Sequence, residues 1–209
     1  MNFFERLEAR SQQVDSLLCI GLDPHPEDLP EPTPAGLESF CLRLIEATAP
    51  FAAAFKPNAA FFEALGEAGI RSLKRVIEAV PDDIPVILDA KRGDISSTAR
   101  AYAQAAFQPL GADAITASPY LGYDSLEPLL RDPQKGVFLL CKTSNPGAGD
   151  FQDLEVNANG EKLPLYGVVA RKAHEWNQSG NLGLVVGATQ PEALLQVRRL
   201  APELWILAP

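Results

Sequence analysis

Short apolar runs return along this chain, and each except the last is followed by a turn and then a helical pattern. The runs are SLLCIGLDP (16–24), PFAAAFKPN (50–58), IPVILDAKRGD (84–94), GADAITASP (111–119), GVFLLCKTSNPG (136–147), LGLVVGAT (182–189) and LWILAP (204–209). Val, Ile, Leu and Ala dominate them with little polar alternation, which is how strands buried on both faces read. Between them, Thr33-Pro34 places an N-cap residue before a proline at the first helical position. Leu37, Phe40, Cys41, Leu44, Ile45 and Thr48 then keep i, i+3, i+4 spacing. Further helices are predicted over 70–80, 96–106 and 125–130. Thr189-Gln190-Pro191-Glu192 has capping-box spacing and predicts a helix through Leu200. Strands alternating with helices predict βα units on a parallel sheet.

Such a pattern suits either a barrel or a doubly wound sheet. No G-x-G-x-x-G follows the first run, which weighs against a dinucleotide fold. Polar residues instead sit at the ends of many runs: Asp23, Lys56, Asp89, Lys91, Ser118, Ser144 and Thr189. Function spread over several strand ends is a barrel property. The expected class is therefore α/β, a (β/α)8 TIM barrel with seven strands represented, forming one domain over 1–209. A chain of 209 residues is long enough to bury one large core. The segment 147–165, rich in Gly, Asn and charge, reads as a long loop inserted in one βα unit.

Lys and Arg total 18 against 27 for Asp and Glu, a formal charge of -9. That excludes general nucleic-acid binding and attraction to an anionic membrane, and leaves room for a local basic pocket. The N-terminus MNFFERLEAR is charged and amphipathic, unlike a signal peptide. No apolar run approaches the roughly 20 residues of a membrane span. The expectation is a soluble cytoplasmic protein. Cys19, Cys41 and Cys141 have no zinc-site spacing and read as small buried thiols in a reducing compartment. His25 and His174 lack a ligand partner and read as surface residues. Trp176 and Trp205 read as packing residues. Lys142 ends the fifth run, where it would salt-bridge or line a site. Arg92-Gly93-Asp94 spells an adhesion tripeptide by coincidence.

The sharpest cluster is Asp89-Ala90-Lys91-Arg92-Gly93-Asp94-Ile95-Ser96-Ser97-Thr98. Asp89 and Lys91 are two apart on a strand and so point to one face. Lys56 stands at the same level on the preceding strand, and Asp94 follows the turn at Gly93. In such a Lys-Asp-Lys-Asp array each ammonium keeps its neighbouring carboxylate ionised, and the reverse. A positioned, protonated lysine stabilises a carbanion beside it and then donates a proton. One Asp-x-Lys alone reads as an ion pair closing a barrel. Four charges at adjacent strand ends point to chemistry, with no metal called for.

LDAKRGDISSTARAYA resembles the D-x-K-x-x-D-I-x-x-T signature of the orotidine 5′-phosphate decarboxylase family. FKPNAAFFE, ASPYLGYDSLEP, KTSNPG and NLGLVVGAT are similar to its longer bacterial branch, in the same order, so the resemblance runs over about 18–209. It implies a (β/α)8 barrel dimer that converts orotidine 5′-monophosphate to UMP and CO2 without metal or cofactor. By position it implies that Lys91 is the proton donor and that Asp89 faces the departing carboxylate. Lys56 would orient Asp89 and the ribose. Asp94, with Thr98 beside it, would reach across the dimer interface into the partner's site. Asp23 would hold a ribose hydroxyl, and Ser144 the pyrimidine ring. Lys91 would supply positive charge and then the proton to the C6 carbanion, while a grip on the remote phosphate drives closure.

Two rivals share parts of this pattern. A metal-dependent sugar-phosphate decarboxylase or aldolase of the same superfamily would want carboxylates for Mg2+ near the first two strand ends, where Lys56 stands instead. A non-catalytic nucleotide-binding barrel is the other. The resembling family continues beyond Pro209, placed at the phosphate end of the site, with a P-G-x-G-x-Q-G-G loop, a helix and an eighth strand ending in arginine. The expectation is that these 209 residues are part of a longer polypeptide that carries the phosphate grip.

Overall fold

The structure is a computed structural model and describes residues 1–158 and 160–209. The chain opens with α1 (Phe3–Val14), started by a reciprocal cap. The Asn2 side chain accepts from Glu5 N at 2.9 Å, and the Glu5 carboxylate accepts from Asn2 N at 2.7 Å. The strands are β1 (Cys19–Leu22), β2 (Ala54–Pro57), β3 (Ile87–Arg92), β4 (Ala114–Ala117), β5 (Gly136–Lys142), β6 (Glu155–Ala158), β7 (Glu161–Pro164), β8 (Leu182–Val186) and β9 (Ile206–Leu207). The remaining helices are α2 (Pro34–Thr48), α3 (Ala59–Glu63), α4 (Gly66–Glu78), α5 (Ser96–Phe107), α6 (Tyr123–Leu130), α7 (Leu165–Trp176) and α8 (Pro191–Leu200).

Every strand except the β6–β7 pair runs parallel to its neighbour. β1 pairs with β2, and single bridges at Phe55–Val86 and Asn58–Asp89 carry the sheet from β2 to β3. The order continues β3-β4-β5-β8-β9. These are the seven expected strands in the expected order of a (β/α)8 barrel. Among the described residues no pairing joins β9 to β1.

The two-residue period of the strands sorts the core into two zones. One set of residues packs outward under the helices: Phe55, Leu88, Ile115, Leu139, Leu184 and Val186. The alternate set, Ala54, Ile87, Ala114, Phe138 and Val185, packs inside the sheet with Phe3, Phe4 and Leu7 of α1. The α1 helix thus stops the N-terminal end of the barrel. Its Phe3, Phe4 and the strand residue Phe138 meet edge to face at centroid distances of 5.0 to 6.1 Å. Gly183 leaves the room that the Phe4 ring occupies: a Cβ there would stand 2.8 Å from it. Trp205 stacks on Phe4 and Trp176 packs against Tyr123, so both tryptophans serve packing.

Several local expectations need correction. The 147–165 segment is not a long irregular loop. After a short 3-10 turn it forms the antiparallel hairpin β6–β7, which leads straight into α7. Gly160 turns it at φ +86°. The capping box at Thr189 does not form. Pro191 starts the helix, so Gln190 is the N-cap and Thr189 stands one residue outside it. The helix predicted over 70–80 starts earlier, at Gly66, and is preceded by the short α3, capped by Asn58. Thr33 caps α2 as predicted, accepting from Gly36 N at 3.1 Å.

Candidate active site

Two residues past the apolar inner layer, the same alternation brings polar side chains to the C-terminal ends of the strands. Ala54 is followed inside by Lys56, Ile87 by Asp89, and Ala114 by Thr116. These side chains converge on one carboxylate. Lys56 Nζ lies 3.0 Å from Asp89 Oδ2, and Lys91 Nζ lies 2.6 Å from Asp89 Oδ1. The Thr116 hydroxyl also donates to Oδ1, at 2.8 Å. Lys56 and Asp89 are nearly enclosed, with side-chain exposures of 12% and 10%, whereas Lys91 is 51% exposed. The free side of the cluster is therefore at Lys91, where a bound molecule can reach an ammonium.

Burial alone would push the Asp89 carboxyl up. The Lys91 hydrogen bond, the Lys56 charge and the Thr116 hydroxyl outweigh it and hold the carboxyl below the usual carboxylate range. Asp89 is thus an anion at neutral pH, and it keeps two ammonium groups beside it.

Asp89 and Lys91 do meet on one face, but not through a regular strand. Pairing of β3 with β4 is interrupted between Leu88 and Arg92, and Lys91 takes a left-handed backbone with φ +47°. For a lysine that conformation costs roughly 1–2 kcal/mol. Strain of this kind persists where surrounding structure holds it. Here Ala90 N and Lys91 N both donate to Thr116 Oγ1, at 3.0 and 2.9 Å.

The other predicted site residues surround this cluster. Asp23, just after β1, folds over Gly21 and accepts from Asn58 Nδ2 at 3.0 Å. Asn58 also pairs by a bridge with Asp89, so Asp23 and the cluster are neighbours through it. Ser144 lies in the loop after β5 and packs against Gly187 after β8, where a Cβ would stand 3.0 Å from its own. Pro209 is exposed, and its carbonyl accepts from Ala188 N at 2.8 Å, tying the end of β9 to the same turn. Asp94 does not extend the Lys56–Asp89–Lys91 chain within this molecule. Its carboxylate accepts from Ile95 N at 2.7 Å, and Thr98 is exposed on the first turns of α5.

Residues not singled out from the sequence brace the site. Thr116 and Asn58 are two of them, and the only signal for either was its place at a strand end. Gln152 is a third: its Oε1 accepts from Thr143 N at 2.8 Å, and its Nε2 donates to Thr143 Oγ1 at 2.9 Å. Beside it the buried Lys142 ammonium pairs with Asp153 at 2.7 Å, which takes the salt-bridge option for Lys142. An apolar cavity of about 430 Å³ also opens between β1 and β9, lined by Cys19, Ala54, Ile87, Phe138, Trp205 and Leu207 among others. It lies one layer below the strand-end charges and none of Lys56, Asp89 or Lys91 lines it, although Arg198 and Glu203 do. Among the described residues no three His, Cys, Asp or Glu side chains gather as a metal-binding group. No described helix is long and apolar enough to cross a membrane.

Residues 16–209 match the orotidine 5′-phosphate decarboxylase / HUMPS family. The chain is 53% identical over 213 residues to the orotidine 5′-phosphate decarboxylase of Roseiflexus castenholzii, covering 100% of this chain and 77% of that protein. The solved OMP decarboxylase of Leishmania donovani superposes with a TM-score of 0.92 at 55% identity, over 100% of this chain and 80% of that one. The orotidine 5′-monophosphate decarboxylase of Plasmodium berghei superposes with a TM-score of 0.86 at 25% identity, over 99% and 83% of the two chains. A charged strand-end cluster on a (β/α)8 sheet and a match over nearly the whole length agree: the chain belongs to the orotidine 5′-phosphate decarboxylase / HUMPS family.

Proposed function

We propose that this protein decarboxylates orotidine 5′-monophosphate to UMP and CO2, a carboxy-lyase step of pyrimidine nucleotide synthesis, with Lys91 as the proton donor. The observation that carries the reading is the single carboxylate of Asp89 held ionised between Lys56 and Lys91, with Lys91 open to a ligand. Cleavage of the C6–carboxylate bond leaves its electron pair on C6. The Lys91 ammonium stabilises that developing charge and then transfers a proton to C6; the neutral amine regains a proton from water. Asp89 faces the departing carboxylate. Lys56, fixed by Asp89, orients the array. Asp23, Ser144 and Pro209 bind substrate together with Thr98. Neither a metal nor a cofactor enters these steps.

The reading extends to a homodimer in which Asp94 and Thr98 complete the partner's site. Its support is that Asp94 bonds only forward to Ile95 N among the described residues, next to exposed Ile95 and Tyr120. The loops carrying these two residues abut where Gly93 meets Ser118. The three free thiols, two of them buried, accord with a reducing cytoplasm. Mixing Asp94→Ala with Lys56→Ala protein tests the function and the shared site together. Neither parent is expected to turn over orotidine 5′-monophosphate, and the mixture is expected to, through hybrid dimers holding one intact site. A mixture that exchanges subunits and stays inactive contradicts the shared site.

A further inference from the structure

We propose that Thr116 is a positioning residue for the reaction: its hydroxyl fixes both the Asp89 carboxylate and the bulged backbone that aims Lys91. A hydroxyl has one proton and two lone pairs. In Thr116 both lone-pair directions face amides, Ala90 N at 3.0 Å and Lys91 N at 2.9 Å. The proton is left with one direction, towards Asp89 Oδ1 at 2.8 Å. A hydroxyl saturated in this way cannot rotate to accept a proton from Asp89. It therefore favours the anion and selects the carboxylate orientation in which Oδ1 takes Thr116 and Lys91 while Oδ2 takes Lys56.

The same atom replaces the missing ladder. Regular β3–β4 pairing stops at Leu88 and resumes at Arg92, and of the three amides between them those of Ala90 and Lys91 end on a side chain of β4 instead of a backbone carbonyl. The left-handed Lys91 backbone lies within that gap. Thr116 is buried, one pleat beyond Ala114 of the inner apolar layer, so a substrate at the strand ends meets Lys91 and Asp89 before it meets Thr116. Its effect on chemistry runs through them. The charged and titratable groups around Asp89 are Lys56 on β2, Lys91 on its own strand and, farther off, Asp23 and Cys19 from β1 and its end.

The proposal rests on the decarboxylase reading for its kinetic arm and is independent of that reading for its spectroscopic arm. Thr116→Val keeps the β-branched shape without the hydroxyl, and Thr116→Ser keeps the hydroxyl. For Thr116→Val the expected loss is on the order of 100-fold in kcat, the scale of a misaimed catalytic group, with KM little changed. Thr116→Ser is expected to retain most of the activity. In parallel, carbon-13 NMR of the Asp89 carboxyl is expected to show a higher titration midpoint in Thr116→Val than in wild type, and a wild-type midpoint in Thr116→Ser. Thr116→Ala serves as the hydroxyl-free form if the valine variant does not fold. An unchanged Asp89 midpoint in a folded hydroxyl-free variant overturns the proposal, whether or not the wild type turns over. So do equal kcat losses in the serine and valine variants. A wild type without turnover but with the predicted NMR shifts contradicts the decarboxylase reading and sustains the positioning role.

Discussion

Asp89 is the residue on which the site's electrostatics turn, and its pairing has a consequence for stability. Its folded carboxyl lies below the ordinary value of 3.8. The stabilisation from its two lysines is therefore complete above that value and is lost as the pH falls through the lower, folded one. Asp89→Asn would leave two ammonium groups facing one another, with Lys56 nearly buried. The expected cost at pH 7 is about 3 kcal/mol, the lower end for breaking a buried pair, because Lys91 can rehydrate. Urea denaturation of both proteins at pH 7 and again below pH 3.8 checks this. The gap should narrow as the pH falls below 3.8 towards the lower, folded value, because the unfolded wild-type carboxyl takes up a proton there that the folded one resists; a gap that stays constant contradicts the assignment. The pairing of Asp89 with Lys56 was legible in sequence from strand period and strand-end position; Lys91 was expected on the same face, but it gets there through a bulge and a left-handed backbone that the period does not show. The role of Thr116 was not. A threonine in a β-run reads as an ordinary strand former, and only the bulge beside it gives its hydroxyl two amides to bind.

The hairpin β6–β7 and the short turn before it show what periodicity does not reveal about elements. Repeating apolar runs carried all seven parallel strands, because burial on both faces leaves an unmistakable pattern. The hairpin is mostly exposed and has no such pattern, and its sequence passes for a loop. Its function in the fold rests on the residues that precede it. Gln152 satisfies both the amide and the hydroxyl of Thr143, and Asp153 neutralises the otherwise buried Lys142. Together they fix the loop that bears Ser144. Gln152→Ala removes two hydrogen bonds worth about 0.5–1.5 kcal/mol each. If Ser144 holds the substrate equally in ground and transition states, the loss appears in KM, by about tenfold, with kcat little changed. Steady-state kinetics of the variant separate the two constants, and a fall in kcat at constant KM would contradict this role for the loop.

At the scale of the whole molecule, the division of labour follows from one alternation carried across seven strands. The inner face is apolar at the end stopped by Phe3 and Phe4 and charged at the other, so a rigid packed layer underlies a polar one. That arrangement holds Lys56 and Asp89 against solvent while Lys91 remains accessible, as the proton-donor role proposed for Lys91 requires. The net charge of -9 does not oppose an anionic substrate, because the local field at the strand ends is set by two lysines around one carboxylate. The most direct test of this account is turnover of orotidine 5′-monophosphate, followed by loss of substrate absorbance in EDTA, by wild type and Lys91→Ala, alongside binding of a substrate analogue to each. Wild type is expected to turn over in EDTA, Lys91→Ala is expected to lose nearly all turnover, and analogue affinity is expected to fall much less. Turnover abolished by EDTA, or equal losses of turnover and affinity in the variant, would contradict it.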